Sequence, residues 1–494
     1  MAVASGSKVS GLDVAVVDDD DVHAVKTTSK QQQQGSRWTF ARAFVALSVV
    51  AVVCIFLYAP RFSVPTPHGA AAAFLLGPRV GRGGVGPVVL DNQVGSPCSS
   101  MPENSICCDR SDYHSDVCFM SGDVRTDAKS LSLLLFPPAT PSGGGGGEAT
   151  TTAVKEERIR PYTRKWDAFV TKDIHEVRLR AARPEESASP AHRCDVRHEA
   201  PALVVTAGGY SHNMFHVFND GFLPAWLTAQ HLRRRVVLAV LAYNPSWAGR
   251  FGELLAALSR HHVVDLLRDA RTHCFPGAIV GTRYHDYLAV DPARLRDNKT
   301  VVDFHNFLAA AYDEPRDDSS AAETVARRQH PRHRRKLRLG IVSRKGRRVI
   351  ENQAAVADLA ASVGFDVDIM DTGAGRTPPL AATYAAVSGY DALVGVHGAD
   401  LTSFLFLHPG RAALVQYDLR LNESSLSRKY APDDVVVADP GRARRERGKK
   451  AWDLVEYVYL RGQNVSLDLA RFRETLVRVH ALLLERGAGE SPEI

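Results

Sequence analysis

No C-x-x-C pair occurs among the seven cysteines, so the ligand spacing that marks most structural zinc sites is missing. Charge of one sign is not in excess: +6 over 494 residues is modest and by itself gives no argument for a nucleic-acid binder. Low-complexity sequence is confined to short pieces, and with 45% apolar residues the chain can build two or three domains with cores of their own. Long uncharged apolar runs are scarce as well. There is one, AFVALSVVAVVCIFLYA from Ala43 to Ala59, at the short end of what spans a bilayer as a helix.

Lys26, Lys30, Arg37 and Arg42 precede that run, whereas Arg61 follows it and no further Lys or Arg comes before Arg79. The positive-inside rule then makes residues 1–42 a cytosolic tail, 43–59 a signal anchor and the remainder lumenal. A cleaved signal peptide would need an unusually long cationic region here. Cys54 lies inside the span. Cys98, Cys107, Cys108, Cys118, Cys194 and Cys274 remain, an even set in an oxidising compartment, so disulfides are expected. Adjacent Cys107 and Cys108 cannot easily bridge each other and should take different partners. Acceptor sequons at Asn298, Asn422 and Asn464 agree with such a lumen.

Residues 1–36, with the acidic run Asp18 to Asp21 and a Gln tract, read as a tail that does not fold. Residues 60–95, rich in Gly, Pro and Ala, read as a flexible stem, and PSGGGGG at 141–147 as a surface loop. Beyond the stem, short apolar runs alternate with helical patterns. ALVVTA at 202–207, VVLAVLAY at 236–243 and AIV at 278–280 read as buried strands, with a helix over 252–259. The second half repeats the alternation. Strands are predicted at 337–342, 365–370, 392–396 and 412–415, and helices at 354–363, ended by Gly364, and at 380–387. This is an α/β pattern with a mostly parallel sheet in each half, hence two Rossmann-like domains, residues 96–326 and 337–485, with a short tail at 486–494. The basic run RRQHPRHRRK at 327–336 between them reads as a solvated linker or as an electropositive rim, and RARRERGKK at 442–450 has the same two readings. In a Golgi-type lumen the rim would face a nucleotide sugar or an acidic polysaccharide, and no nucleic acid.

Three stretches carry chemistry. In GGYSHNMFHVFND, Gly208 to Asp220, a helix starting near Ser211 would set His212, His216 and Asp220 in one row, with Asn213 and Asn219 beside them. Met214, Phe215, Phe218 and Phe222 would then face a core. Such a row could also ligate a metal, and Asp366 with Asp368 could mimic a metal-binding D-x-D, but the cations nearby can neutralise an anion without one, so no metal is expected. In SRKGRRVIEN, Ser343 to Asn352, the cations Arg344, Lys345 and Arg348 on one strand-to-helix turn would hold a diphosphate. In GVHGADLTSFLFLHPG, Gly395 to Gly410, His397 and Gly398 form a small-residue turn that lets a ligand approach the backbone.

Taken in order with CCDRSDYHSDVC and GDVR (Cys107 to Arg125) and GQNVSLDLARFR (Gly462 to Arg473), these motifs resemble the plant branch of glycosyltransferase family 61, above all the grass xylan arabinosyl- and xylosyltransferases. The resemblance covers roughly residues 96–485. It implies a GT-B fold, two Rossmann-like domains facing a cleft behind a single transmembrane helix and stem, in a type II Golgi membrane protein. It implies an inverting, metal-independent transfer that needs no cofactor, with a UDP-pentose as donor and xylan or a related wall polysaccharide as acceptor. Complexes with other wall-polysaccharide transferases fall within its scope. An inverting transfer needs a base for the acceptor hydroxyl and positive groups for the departing diphosphate. His216 or Asp220 would be the base, His212 and Asn213 would orient the acceptor, and Arg344, Lys345, Arg348, His397 and Gly398 would serve the diphosphate. The chain departs from the family pattern at HGADLTS, where many members have HGAGLTN: Asp400 and Ser403 replace glycine and asparagine. A carboxylate there competes with an anion, so a Golgi scaffold of weak or no activity is a second reading, and a transferase acting on protein N-glycans a third.

Overall fold

The structure is a computed structural model that describes residues 13–16, 89–137, 156–313, 336–346, 348–371, 379–417 and 464–488. The apolar run at 43–59, the stem up to residue 88, the loop at 141–147, Asn422 and the basic runs at 327–335 and 442–450 lie outside the described residues. Among the described residues no helix is long and apolar enough to cross a membrane.

The strands are β1 (Asp13–Val16), β2 (Ser105–Asp109), β3 (Val117–Asp127), β4 (Ser132–Phe136), β5 (Glu157–Ile159), β6 (Val177–Ala181), β7 (Val196–Arg197), β8 (Ala202–Thr206), β9 (Val237–Leu241), β10 (Val264–Asp265), β11 (His273–Gly281), β12 (Arg338–Ser343), β13 (Asp366–Asp371), β14 (Ala392–Val396) and β15 (Ala413–Tyr417). A first sheet runs β10-β9-β8-β11-β3-β4-β6-β5, with β2 on β3 and β7 on β11. Its β10-β9-β8-β11 part is parallel, and β9 is buried along its whole length, as a continuous apolar run between covered faces requires. The other part is not as the sequence reading expected. β3 runs antiparallel to β11, β2 and β4, so the first half is a mixed sheet. Strand β3 has one long edge on β11. Its other edge is shared, β2 pairing before Gly122 and β4 after it, and Gly122 takes φ 123° where a Cβ would strike Asn104.

The second sheet, β1-β15-β14-β12-β13, is parallel throughout, and its strands fall within a residue or two of the predicted runs except for β1. The expectation that residues 1–36 do not fold fails for Asp13–Val16, which pairs with Ala413–Gln416 at the sheet edge. Helices α1 (Leu223–Ala229), α2 (Gly252–Leu258), α3 (Val301–Asp313), α4 (Gln353–Val363), α5 (Leu380–Val387) and α6 (Leu469–Ala488) complete the frame. Gly364 ends α4 at φ 120°, as its position implied. Helix α6, not foreseen, buries Phe472, Leu476, Val479 and Leu483 at helical spacing in the second core, beside α4.

One apolar cluster runs across both halves. Phe218 meets Phe406 edge-on at 5.9 Å, Tyr312 of α3 stacks on Tyr384 of α5 at 4.9 Å, and His305 of α3 bonds the Leu405 carbonyl at 3.1 Å. Such contacts hold the two sheets together through packed rings instead of a wet interface.

Three disulfides join Cys98 to Cys107, Cys108 to Cys118 and Cys194 to Cys274, so the adjacent cysteines do take different partners. Alkylation of the unreduced, denatured protein should therefore label at most Cys54. Two or more labelled thiols, read by peptide mass, would contradict this pairing.

Candidate active site

The GGYSHNMFHVFND stretch opens on a turn that only glycine fits. Gly209 lies at φ 65°, and a Cβ there would come within 2.7 Å of the Tyr162 ring. The helix starts later than the sequence suggested. Asn213 is its N-cap, its side chain accepting from the Phe215 N–H at 3.0 Å, and Met214–His216 form the first turn. His212 therefore precedes the helix, exposed, and does not join the expected row. Asn213 spends its side-chain oxygen on the cap. From Val217 to Phe222 the helix widens into a π turn before continuing as α1. Single π turns of this kind recur at functional sites because they re-aim side chains.

Asp220 lies in that turn with its side chain only 2% exposed. One oxygen accepts from Arg164 Nε at 2.8 Å, from His216 Nδ1 at 2.6 Å and from the Tyr162 hydroxyl at 3.3 Å; the other accepts from Asn219 Nδ2 at 2.7 Å. Burial by itself would raise its pKa, but the hydrogen bond from His216 and the Arg164 charge outweigh that and hold it below the usual carboxylate value. A carboxylate so surrounded stays ionised, with three of its hydrogen bonds on one oxygen. Of the two candidates for the base, Asp220 is the enclosed one. Because it accepts at Nδ1, the His216 proton belongs there and the Nε2 lone pair is left to act. The His216 ring keeps 20% of its surface open, between Tyr210 at 4.6 Å and Phe215 at 5.3 Å. Arg164 and Tyr162 were missed by the sequence reading; more than fifty positions separate them from Asp220 and no local signal marks them.

The two loops expected to hold a diphosphate come together. Chain order and sheet order part company between β12 and β14: β13 flanks β12 on one side and β14 on the other, with Ile341 opposite Val394. Open α/β sheets bind ligands outside the strand ends at such a reversal. Arg344 leaves β12 and Gly398 leaves β14 at that point. A Cβ on Gly398 would lie 1.9 Å from Arg344 Nη1 and 3.0 Å from Arg348 Nη1, so the glycine is what lets both guanidinium groups sit on the backbone. Arg348 Nη1 donates to the His397 carbonyl at 2.7 Å. Lys345 pairs with Asp371 at the end of β13. Arg344 Nη1 faces the Asp400 carboxylate at 3.3 Å, a charge contact without hydrogen-bond geometry, so Nη1 is buried with a bond unmade. Buried donors are rarely left so, and a ligand oxygen would satisfy it. Arg347 lies outside the described residues.

The two groups of residues share a support. The Met214–His216 turn packs against the Ala399–Phe406 run, which begins just after Gly398. Asp366 and Asp368 are exposed on β13, and Asp368 accepts from the Tyr390 hydroxyl at 2.5 Å. Among the described residues no cluster of three or more His, Cys, Asp or Glu has the arrangement of a metal site. Asn298 sits exposed at a turn, and Asn464 is exposed beside the cationic loop, accepting from the Val349 N–H at 3.3 Å.

Residues 210–414, the span that includes His216, Asp220 and both cationic loops but not Tyr162, Arg164, Gly209 or Asn464, match the model of the family described as Glycosyltransferase 61. The chain is 34% identical over 425 residues to the xylan glycosyltransferase MUCI21 of Arabidopsis thaliana, covering 80% of this chain and 83% of that one. The chain belongs to glycosyltransferase family 61. Among other members, it is 31% identical to the beta-1,2-xylosyltransferase XYXT1 of Oryza sativa subsp. japonica, over 91% of this chain and 98% of that one. The alpha-1,3-arabinosyltransferase XAT3 of the same plant is 29% identical over 75% of this chain and 64% of its own length. The family 61 resemblance read from the motifs is thus shown, and with it membership of a family of glycosyltransferases.

Proposed function

We propose that this family 61 member is an inverting glycosyltransferase of GT-B type that moves a pentose, arabinofuranose or xylose, from a UDP-sugar onto a xylan-type wall polysaccharide in the Golgi lumen. The observation that carries the reading is the His216–Asp220 pair seated on the same Ala399–Phe406 run whose first turn faces Arg344. His216 Nε2 takes the proton of the acceptor hydroxyl. The freed oxygen pair attacks the anomeric carbon from the side opposite the diphosphate, the bond from that carbon to the diphosphate oxygen breaks, and the configuration inverts. Asp220 fixes the tautomer and stabilises the imidazolium. Arg344, Arg348, Lys345 and the His397–Gly398 turn receive the charge of the departing UDP, enough positive charge to make a bound metal unnecessary. The acceptor side is the half that holds His216, and the nucleotide side the parallel second sheet. The test is to incubate detergent-purified full-length protein with UDP-arabinofuranose, UDP-xylose and xylo-oligosaccharides. The expected product is an acceptor longer by one pentose; hydrolysis and transfer both absent would defeat the reading. A scaffold of the same fold is the second reading, favoured by one observation, the Asp400 carboxylate already facing Arg344.

The anchor topology remains part of the proposal, and it makes a demand of its own. It leaves residues 13–16 across a bilayer from Ala413–Gln416, so it and the β1–β15 pairing exclude one another. Tagged at both ends in sealed microsomes, the anchored protein should lose only its N-terminal tag to protease and should carry a glycan removable from one or more of Asn298, Asn422 and Asn464. Protection of both tags would give the pairing precedence and remove the anchor.

A further inference from the structure

Large aromatic surfaces open to water are costly unless something covers them in use. Three lie together in the first half: Tyr113, 69% exposed, Tyr287, 40%, and Trp166, 38%. They are linked to one another and to the candidate base. The Tyr113 and Trp166 rings are nearly parallel, 8° apart in plane at 6.3 Å between centroids. The His114 ring stands edge-on to both, and edge-on to Tyr287 at 6.0 Å. Tyr287 stacks on Phe215 at 6.4 Å, and Phe215 meets His216 at 5.3 Å. A continuous row of rings therefore leads from the open surface to His216.

The row is held rigid. Tyr113 and His114 are carried by the loop between β2 and β3 that the Cys108–Cys118 disulfide closes. The Lys165 N–H donates to the His114 carbonyl at 3.0 Å, Lys165 Nζ to Asp116 at 2.8 Å, and Arg294 pairs with Asp112 at 3.1 Å. The Leu288 N–H, next to Tyr287, donates to Asn219, the neighbour of Asp220, at 2.8 Å. Arg164, bonded to Asp220, has its guanidinium 5.6 Å from the Trp166 ring and 5.9 Å from that of Tyr210. A cross-linked loop that displays aromatic faces to solvent is pre-organised for a ligand, because little further ordering is lost on binding.

We propose that Tyr113, Trp166, His114, Tyr287 and Phe215 form a stacking platform that seats a β-linked xylan-type chain and delivers one of its hydroxyls to His216. The proposal rests on the reading of His216 as the base of a pentosyl transfer to such a chain. A xylopyranose ring carries its hydroxyls equatorially, so both faces present C–H bonds that suit an aromatic face, while the rim hydroxyls meet polar groups. Here Arg294 and Asp112 stand beside the row, and a chain touches the outer rings only through sugars beyond the one that reacts at His216. The platform therefore predicts that acceptor length matters.

Full-length protein in detergent, titrated with xylohexaose and with xylobiose, tests this. Tyr113→Ala and Trp166→Ala should each weaken xylohexaose binding about tenfold, and their double variant more, leaving UDP binding unchanged. In turnover the KM for xylohexaose should rise while kcat stays. Phe169, equally exposed at 70% but in ring contact only with Lys172, is the control, and Phe169→Ala should bind as wild type. A double variant that binds xylohexaose as well as wild type, or a Phe169→Ala effect of the same size, overturns the platform. Failure of the functional reading looks different: the wild type would bind xylohexaose through Tyr113 and Trp166 and yet transfer no pentose. Conversely, transfer with an unchanged KM in the double variant would leave the function standing and remove the platform.

Discussion

His216→Ala should lower kcat by about two to four orders of magnitude, the usual contribution of a general base, while UDP binds nearly as before. The ring is partly open, and Asp220 loses the bond from Nδ1 but keeps Arg164, so the melting temperature should fall less than in Asp220→Asn. Asp220→Asn should behave differently. An amide in place of the carboxylate still offers an oxygen to His216 Nδ1 but carries no charge to stabilise the imidazolium, and it leaves Arg164, 11% exposed, without its counter-charge. Loss of one partner from a buried ion pair costs about 3–5 kcal/mol, so turnover and stability should fall together. Calorimetric melting beside steady-state kinetics separates the two. If His216→Ala keeps normal turnover, the base is elsewhere. If Asp220→Asn loses turnover without loss of stability, the Arg164 bond is not the support described above.

That Asp220 is enclosed while His216 stays partly open could not be read from the sequence, and the reason is physical. A periodic row at i and i+4 shows which residues share a helix face, but not that the helix widens between them or that an arginine some fifty positions earlier closes on one of them. A short polar side chain before a helix serves equally as cap or ligand until the backbone is known, and Asn213 turned out to be the cap. The position of the two loops expected to hold a diphosphate was legible because they follow strands such as ALVGV, apolar along its whole length, at the ends of a parallel sheet. The hairpin region was not. Strand β3 carries Ser121, Gly122, Asp123 and Arg125, and β2 carries two cysteines, so neither shows the period of a strand. Helix α6 was available and overlooked, since Phe472, Leu476, Val479 and Leu483 repeat at helical spacing. The same hairpin presents Tyr113.

Arg344→Ala should weaken UDP binding by about 1.5–3 kcal/mol, the range for hydrogen bonds to a charged group. The expectation is firmer than cation content alone would make it, because Arg344 Nη1 is buried, lacks a hydrogen bond and lies at the reversal between β12 and β14. Asp400 should act in the opposite sense. Its carboxylate stands 3.3 Å from that nitrogen, so Asp400→Gly should free the guanidinium and strengthen UDP binding. The gain should be small, about 0.3–1 kcal/mol, since the pair is partly exposed and glycine adds backbone freedom. A double-mutant cycle identifies the path. If Asp400 acts through Arg344, its substitution should have no effect once Arg344 is alanine; an undiminished effect in that background means that the carboxylate opposes the phosphates directly. Gly398→Ala offers an independent check, because a Cβ 1.9 Å from Nη1 must push the guanidinium aside, and UDP binding should fall toward that of Arg344→Ala. Titration calorimetry on the four variants and the wild type decides among these. Arg344→Ala and Gly398→Ala both binding as wild type would place the diphosphate away from this turn. A strong gain in both binding and turnover on Asp400→Gly would instead show that this member is held back by one carboxylate, and would turn the scaffold reading into a statement about Asp400 alone.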